Sequence, residues 1–305
     1  MSTTLTGILP ALVTPFDREG NLIHASAEKL LQKYKQEQAD GLYMLGFTGE
    51  GSVMSVSERK AWTETVLSTN SGIIPVLVHV GYSTEEDALE LAHHAVRHGA
   101  TAVSSVPLSN SATLQQNTVY FKKLAEAAEL PFYIYWNQEI IDERTGKRAA
   151  AEELVEAMST VRNFAGIKYT DSNFYYLERI KNYNPDINIL TGFDTAVIAG
   201  RLMGSDGAIG ALQSVTCGHM KAMWDYYSAG NLAKAQELQF RANHLYEAID
   251  RPEVGVIAGL KAILEHEGIP GLPKTPVQPV LDPAVRRELL DIYEQHIDNR
   301  LQPVT

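Results

Sequence analysis

The sequence contains very little cysteine, with one residue, Cys217, among 305. A lone cysteine excludes an internal disulfide framework and is typical of proteins in a reducing compartment. The chain has no apolar run of the roughly 18–20 residues that a membrane-spanning helix requires. Its first seven residues lack the basic and apolar segments of a signal peptide. We therefore expect a cytoplasmic protein without a membrane partner.

Concentrated positive charge is also missing. The chain has 26 Lys and Arg against 37 Asp and Glu, a formal net charge of −11. Because binding to a nucleic-acid backbone requires a basic patch, this balance argues against a nucleic-acid partner. Apolar residues, in contrast, are plentiful: they make up 45% of the chain, which is sufficient for the core of one large domain.

Short apolar runs alternate along the chain with segments of helical periodicity. Their starts lie about 20 to 35 residues apart, the repeat expected of a strand with its crossover helix. Alternation predicts a parallel sheet, and eight repeats predict a closed (β/α)₈ TIM barrel, with an open doubly wound sheet as the alternative. The predicted strands are 8–13, 42–47, 74–80, 102–106, 132–136, 165–167, 187–190 and 208–211.

Beyond residue 211 the pattern is helical only. Helices are predicted near 216–229, 231–250, 253–267 and 282–297. Three of them exceed the single helix that the last barrel repeat needs. We therefore predict a barrel over 1–215 and a C-terminal extension over 216–305 that packs on it, the two forming one structural unit.

Polar and glycine residues collect where the predicted strands end. In a (β/α)₈ barrel the carboxyl ends of the strands form the mouth, where active sites lie. The pattern therefore predicts an enzyme acting on a small molecule. The residues in question are Thr48, Glu50, Tyr135, Lys168, Thr170, Gly192, Asp194 and Gly210.

Lys168 is the most informative of these residues, because it directly follows an apolar run. One interpretation is a lysine that extends from the strand end to water. The other is a buried amine whose pKa is depressed, so that its neutral form attacks a carbonyl group. Tyr135, one strand earlier, is either an acid–base group facing the same cavity or an aromatic residue filling the barrel.

The glycine-rich stretch 46–51, G-F-T-G-E-G, also has two interpretations. It lacks the lysine and spacing of a phosphate-binding loop. It either presents backbone N–H groups and the Thr48 hydroxyl to a carboxylate, or is simply a tight turn that requires positive φ.

Two further groups have no predicted catalytic role. His94 and His98 are spaced i, i+4 on a predicted helix, with His93 beside them, but no acidic residue completes an H-E-x-x-H pattern. We interpret them as solvated helix histidines and expect no metal site. Cys217 is interpreted as a buried core residue.

Six motifs together resemble one known superfamily. The chain is similar to the pyruvate-dependent class I aldolases, which include N-acetylneuraminate lyase and dihydrodipicolinate synthase, and more similar to the lyase branch. The motifs are G-I-L-P-A-L-V-T-P-F at 7–16, G-F-T-G-E at 46–50, V-S-E-R at 56–59, I-K-Y-T-D at 167–171, G-F-D at 192–194 and G-L-K at 259–261.

The resemblance implies a lyase that releases or condenses pyruvate, without metal or organic cofactor, and a homotetramer. Lys168 matches the Schiff-base lysine and Tyr135 the tyrosine that transfers the proton. The matching substrate-binding positions are Thr48 and Gly49 for the pyruvate carboxylate, Thr170, Gly192 and Asp194 for the distal part of the substrate, and Gly210 in the pyruvate pocket.

Several positions depart from the family pattern. Phe47 replaces a hydroxyl residue, Ser109 replaces a tyrosine of the proton relay, and Thr195 replaces an acid that contacts the sugar in the lyases. An insertion over 138–147 contains Arg144. The predicted substrate is N-acetylneuraminate, with 2-keto-3-deoxy sugar acids, a synthase-like condensation, or a catalytically silent pyruvate-binding barrel as alternatives.

Overall fold

The computed structural model describes residues 4–108, 112–137, 150–274 and 281–300. Its strands are all parallel and follow one another in space in the cyclic order β1-β8-β7-β6-β5-β4-β3-β2. They are β1 Gly7–Pro10, β2 Leu42–Met44, β3 Val76–His79, β4 Ala102–Ser105, β5 Phe132–Asn137, β6 Phe164–Thr170, β7 Asn188–Thr191 and β8 Gly207–Gly210.

The sheet curls until its two end strands meet. A parallel bridge joins Ala11 to Tyr43, and the N–H of Leu12 donates to the carbonyl of Tyr43 at 2.8 Å. Because the strand order never reverses, an open doubly wound sheet is excluded. The predicted (β/α)₈ barrel is confirmed.

The helices cover the outside of the barrel and continue beyond its last strand. They are α1 Ser26–Gln36, α2 Val56–Asn70, α3 Glu85–Arg97, α4 Leu114–Ala128, α5 Ala150–Met158, α6 Phe174–Tyr183, α7 Val197–Leu202, α8 Gln213–Ser228, α9 Leu232–Ile249, α10 Val256–His266 and α11 Pro283–His296. Within the described ranges, no helix is long and apolar enough to cross a membrane.

Helix starts follow local sequence signals. Ser55 forms a capping box with Glu58 at the start of α2. The Thr84 hydroxyl accepts from the N–H of Asp87 at α3, and Gly99 ends that helix with a φ of +85°. Such caps satisfy N–H groups that the first turn of a helix leaves without partners.

Strand residues alternate between two apolar cores. On β5, Tyr133 and Tyr135 belong to the core inside the barrel, whereas Ile134 and Trp136 pack against the helices. This period of two is the expected consequence of strand geometry. It also decides which side chains reach the cavity.

A buried ion pair joins the C-terminal extension to the barrel. The ammonium group of Lys261, on α10, contacts the Glu50 carboxylate and donates to the carbonyls of Thr14 at 2.6 Å and Leu272 at 2.8 Å. The other Glu50 oxygen accepts from the N–H of Lys274 at 2.8 Å. Three distant chain segments therefore meet at one charge pair.

We predict that Lys261→Met lowers the free energy of unfolding by about 3–5 kcal/mol, because it leaves the buried Glu50 carboxylate without its counter-charge. The double variant Lys261→Met/Glu50→Gln should recover part of this loss, since no uncompensated charge remains. Urea unfolding measures both.

The matched control is Lys234→Met, which removes a partly exposed Lys234–Glu237 pair on α9. Its effect should stay within about 1 kcal/mol. An equally small effect of Lys261→Met would contradict the importance assigned to the buried pair.

Candidate active site

Lys168 lies within β6, on the face that points into the barrel. Sequence patterning ended this strand at residue 167, but the ladder continues to Thr170 because Lys168 pairs with Tyr135 on one side and Leu190 on the other. The lysine is only 6% exposed. It therefore does not extend to water, and the first of its two interpretations is wrong.

Burial determines the charge state of Lys168. Loss of hydration lowers the pKa of its amine to about 7, even though the carboxylate of Asp194 acts in the opposite direction. No carboxylate in the described part of the chain lies within ion-pair distance of this amine. A large fraction of Lys168 is therefore neutral, and nucleophilic, near neutral pH.

Two aromatic rings form the surroundings of this amine. The Lys168 Nζ lies 3.9 Å from the ring centre of Tyr135 and 4.3 Å from that of Tyr43. The two rings meet edge to face with centres 6.2 Å apart. Tyr135 thus lies beside the Lys168 amine and also belongs to the inner core, so both of its interpretations are compatible with its position.

Asp194 is the charged residue that faces Lys168 across the mouth. Burial raises the pKa of its carboxyl to about 6, against the opposing effects of the Leu212 N–H and Lys168. Its Oδ2 accepts from the N–H of Leu212 at 2.9 Å, whereas its Oδ1 is buried without a partner within the described residues. A Cβ at Gly210 would collide with this carboxylate, so only glycine permits its approach.

Thr170 and Gly192 form a second close contact at the mouth. The N–H of Gly192 donates to the carbonyl of Tyr169 at 2.7 Å, and a Cβ on Gly192 would collide with the Thr170 hydroxyl. That hydroxyl is buried without a hydrogen-bond partner in the described part of the chain. Its capacity for hydrogen bonding is therefore unused among the described residues.

The 46–51 turn combines features of both of its interpretations. Positive φ occurs, but at Leu45 (+62°) and Glu50 (+54°) rather than at a glycine. The Thr14 hydroxyl donates to the Gly49 carbonyl at 2.7 Å. The N–H groups of Thr48 and Gly49 have no acceptor among the described residues. The Glu50 side chain points towards Lys261, and its carboxylate contacts the ammonium group of that residue.

One cavity residue, His79, was not found from the sequence. His79 is buried, with Nδ1 2.9 Å from the Tyr43 hydroxyl, and its ring centre lies 5.8 Å from that of Tyr135 and 4.8 Å from that of Tyr82. Burial, with smaller effects of Arg59 and Lys168, holds the pKa of His79 well below its ordinary value. The alternation of side chains along β3 could have identified it, because His79 lies two residues after Leu77 and therefore on the same inward face.

The interpretation of His94 as solvated is wrong, since this residue is 4% exposed. Cys217 is buried as predicted, and burial raises the pKa of its thiol. The Phe47 ring is 59% exposed, so it does not fill the barrel. Ser109 and the 138–147 insertion with Arg144 lie outside the described residues.

Comparisons with known proteins agree with this geometry. The Dihydrodipicolinate synthetase family matches residues 4–295. N-acetylneuraminate lyases of Shigella boydii and Escherichia coli are each 30% identical over 304 residues, covering 98% of this chain and 100% of theirs.

Solved structures extend the likeness. N-acetylneuraminate lyase of Proteus mirabilis superposes with a TM-score of 0.88 at 22% identity, covering 96% of this chain and 99% of its own, a likeness of fold. CdNal of Clostridium difficile, solved with mannosamine, gives 0.87 at 26% identity, covering 97% and 100%.

Fold, buried amine and relatives together define a class I carbon–carbon lyase, a class that works through a lysine Schiff base. The chain belongs to the dihydrodipicolinate synthetase family, in its N-acetylneuraminate lyase branch. The resemblance drawn from sequence motifs is confirmed.

We predict that imine formation with a small 2-keto acid speeds up as pH rises through about 7 and then levels off, because the neutral amine of Lys168 is the reactive form. Asp194→Asn should move the midpoint to lower pH, since it removes the carboxylate that favours the protonated amine. Initial rates of cyanoborohydride-trapped adduct, measured against pH, give both midpoints.

The control is Asp186→Asn, an exposed residue in the loop between α6 and β7, which should leave the midpoint unchanged. A midpoint near the ordinary lysine value of about 10.4 would contradict the depressed pKa.

Proposed function

We propose that this enzyme cleaves N-acetylneuraminate, or a close 2-keto acid relative, to pyruvate and an amino sugar, with Lys168 as the Schiff-base residue. The observation that carries the proposal is the buried amine of Lys168, whose pKa falls to about 7. Its support is the 30% identity to N-acetylneuraminate lyases over 98% of the chain.

The proposed reaction begins when the neutral Lys168 amine attacks the C2 carbonyl of the substrate. Loss of water leaves an iminium, which accepts the electron pair of the breaking C3–C4 bond as an enamine. The proton of the C4 hydroxyl passes to a base, and the aldehyde leaves. Protonation at C3 and hydrolysis of the imine then release pyruvate and restore the amine.

Tyr135 is proposed as the group that takes and returns these protons. Its ring lies 3.9 Å from the Lys168 amine and pairs with that residue across β5 and β6. A proton carrier must lie within hydrogen-bond reach of the reacting atoms, and a substrate bonded to Lys168 comes within that range.

The substrate carboxylate is proposed to bind the turn after β2. The N–H groups of Thr48 and Gly49 and the Thr48 hydroxyl supply donors there. The distal hydroxyls would meet the Thr170 hydroxyl, the buried Oδ1 of Asp194 and the Gly192 backbone, and Gly210 would line the pyruvate end of the pocket. Neither of the two buried oxygens has a partner in the described part of the chain, so a substrate that reached them would supply the missing hydrogen bonds.

The direct test traps the Schiff base. Wild-type protein incubated with pyruvate and borohydride should gain one reduced adduct by intact mass, and Lys168→Ala should gain none. Lys123→Ala, which alters a surface lysine paired with Glu85, should behave as wild type. An adduct of equal yield on Lys168→Ala would rule out the assigned nucleophile.

Tyr135→Phe should keep the pyruvate adduct but lose at least about a hundredfold in turnover, the usual scale of general acid–base catalysis. Tyr133→Phe is its matched control, since Tyr133 lies on the same inward face of β5 but bonds Asn188 at 2.7 Å. Turnover of Tyr135→Phe near that of wild type would remove Tyr135 from the proton transfer.

One observation favours a second substrate class, the 2-keto-3-deoxy sugar acids. Thr195 stands where the lyase pattern has an acid, and its carbonyl is engaged by the Asn243 side chain at 3.1 Å. Pyruvate release from a panel of both classes separates them. An adduct without turnover on either would identify a silent pyruvate-binding barrel.

We also propose a cytoplasmic homotetramer in which barrel and C-terminal extension act as one unit. Family membership supports the assembly and the compartment. The Lys261–Glu50 pair supports the single unit. The partners implied are small molecules, namely pyruvate and an aldehyde sugar.

A further inference from the structure

Three potential metal ligands meet on the outer surface of the barrel. His94 and His98 come from α3 and its C-cap, and Glu64 comes from the neighbouring α2. Their nearest nitrogen and oxygen atoms all lie within 4.8 Å of one another. The i, i+4 spacing of the two histidines was visible in the sequence. The acidic residue that their own helix lacks is Glu64, on the neighbouring helix α2.

A hydrogen bond from His98 to its own helix determines which of its ring nitrogens carries the proton. Its Nδ1 lies 2.9 Å from the carbonyl oxygen of His94. Because a carbonyl only accepts, Nδ1 carries the proton and Nε2 of the neutral ring presents a lone pair. That Nε2 lies 3.8 Å from Glu64 Oε1, so two electron-rich atoms face each other.

The distances suit a small divalent ion. Zinc binds nitrogen and oxygen at about 2.0–2.2 Å, which places neighbouring tetrahedral ligand atoms about 3.4 Å apart. The two histidine Nε2 atoms lie 2.8 Å (His94) and 3.8 Å (His98) from Glu64 Oε1, on either side of that value. The Glu64 side chain is 53% exposed and free to adjust, whereas burial fixes His94.

The neighbouring lysine on α2 does not form an ion pair with the Glu64 carboxylate. Lys60, one turn before Glu64 on α2, forms an ion pair with Glu90 on α3.

We propose that Glu64, His94 and His98 form a binding site for one divalent transition-metal ion, with Zn²⁺ as the best fit and water completing its coordination. The site ties α2 to α3. Because α3 ends where β4 begins, it lies towards the end of the barrel opposite the mouth. The site is therefore separate from the carbon–carbon lyase chemistry and does not depend on the proposed substrate.

The test is titration of EDTA-treated, tag-free full-length protein with Zn²⁺ by calorimetry, and with Co²⁺ by visible absorption. One ion should bind per chain. His94→Gln, His98→Gln and Glu64→Gln should each weaken binding at least about tenfold, as loss of a ligand does. At a hundredfold excess over Kd, Zn²⁺ should raise the Tm of wild type by about 3–6 °C.

Two controls distinguish this site from chance histidine binding. His93→Gln changes an exposed neighbour on the same helix. His266→Gln removes a histidine whose Nε2 lies 2.9 Å from Glu294, close to the 2.8 Å between His94 and Glu64. Among the described residues, no third potential ligand accompanies that pair. Both should bind Zn²⁺ as wild type does.

The proposal is overturned if wild type binds no ion at millimolar Zn²⁺. It is equally overturned if the three ligand variants bind as well as wild type, or if a control variant loses the ion instead. Pyruvate adduct formation, measured in parallel, should be the same with and without Zn²⁺. Failure of the metal site and failure of the Schiff-base assignment can therefore be told apart.

Discussion

The buried pair of Lys261 and Glu50 is the interaction on which the geometry of the mouth depends. It brings together the segment after β1, through the Thr14 carbonyl, the turn after β2 and the loop after α10. Burying two charges is costly unless each is fully bonded, and here each is. Glu50 is thereby held in a left-handed conformation at a φ of +54°. The turn after β2 thus has its shape because a helix far along the chain supplies a counter-charge.

Two buried lysines in this protein have opposite tasks, and their neighbours explain why. Lys261 contacts a carboxylate and two carbonyls, and its pKa falls only to about 8, so it stays largely charged and structural. Lys168 lies beside the Tyr43 and Tyr135 rings, and no carboxylate among the described residues contacts it, so burial lowers its pKa to about 7 against the weaker effect of Asp194. Burial lowers the pKa of both amines. A contacting carboxylate favours the charged form of Lys261, whereas within the described residues no such contact offsets burial at Lys168.

Sequence patterning predicted what is repeated along the chain and missed what long-range pairing creates. All eight strands and the four last helices were found, because each carries its own apolar period. The end of β6 was misplaced, since a polar Lys168 continues a ladder that only β5 and β7 reveal. The partner of Glu50 and the acid beside His94 were missed for the same physical reason. Each pair joins residues from elements that only the closed barrel brings together.

The C-terminal extension also holds the backbone around Asp194 in place. On α9, the Gln239 amide donates to the Asp194 carbonyl at 2.9 Å and the Asn243 amide donates to the Thr195 carbonyl at 3.1 Å. These bonds position the backbone that carries the Asp194 carboxylate. That carboxylate favours the protonated form of the Lys168 amine, against the larger effect of burial. A helix outside the barrel therefore holds in place a group that acts on the charge of the amine inside it.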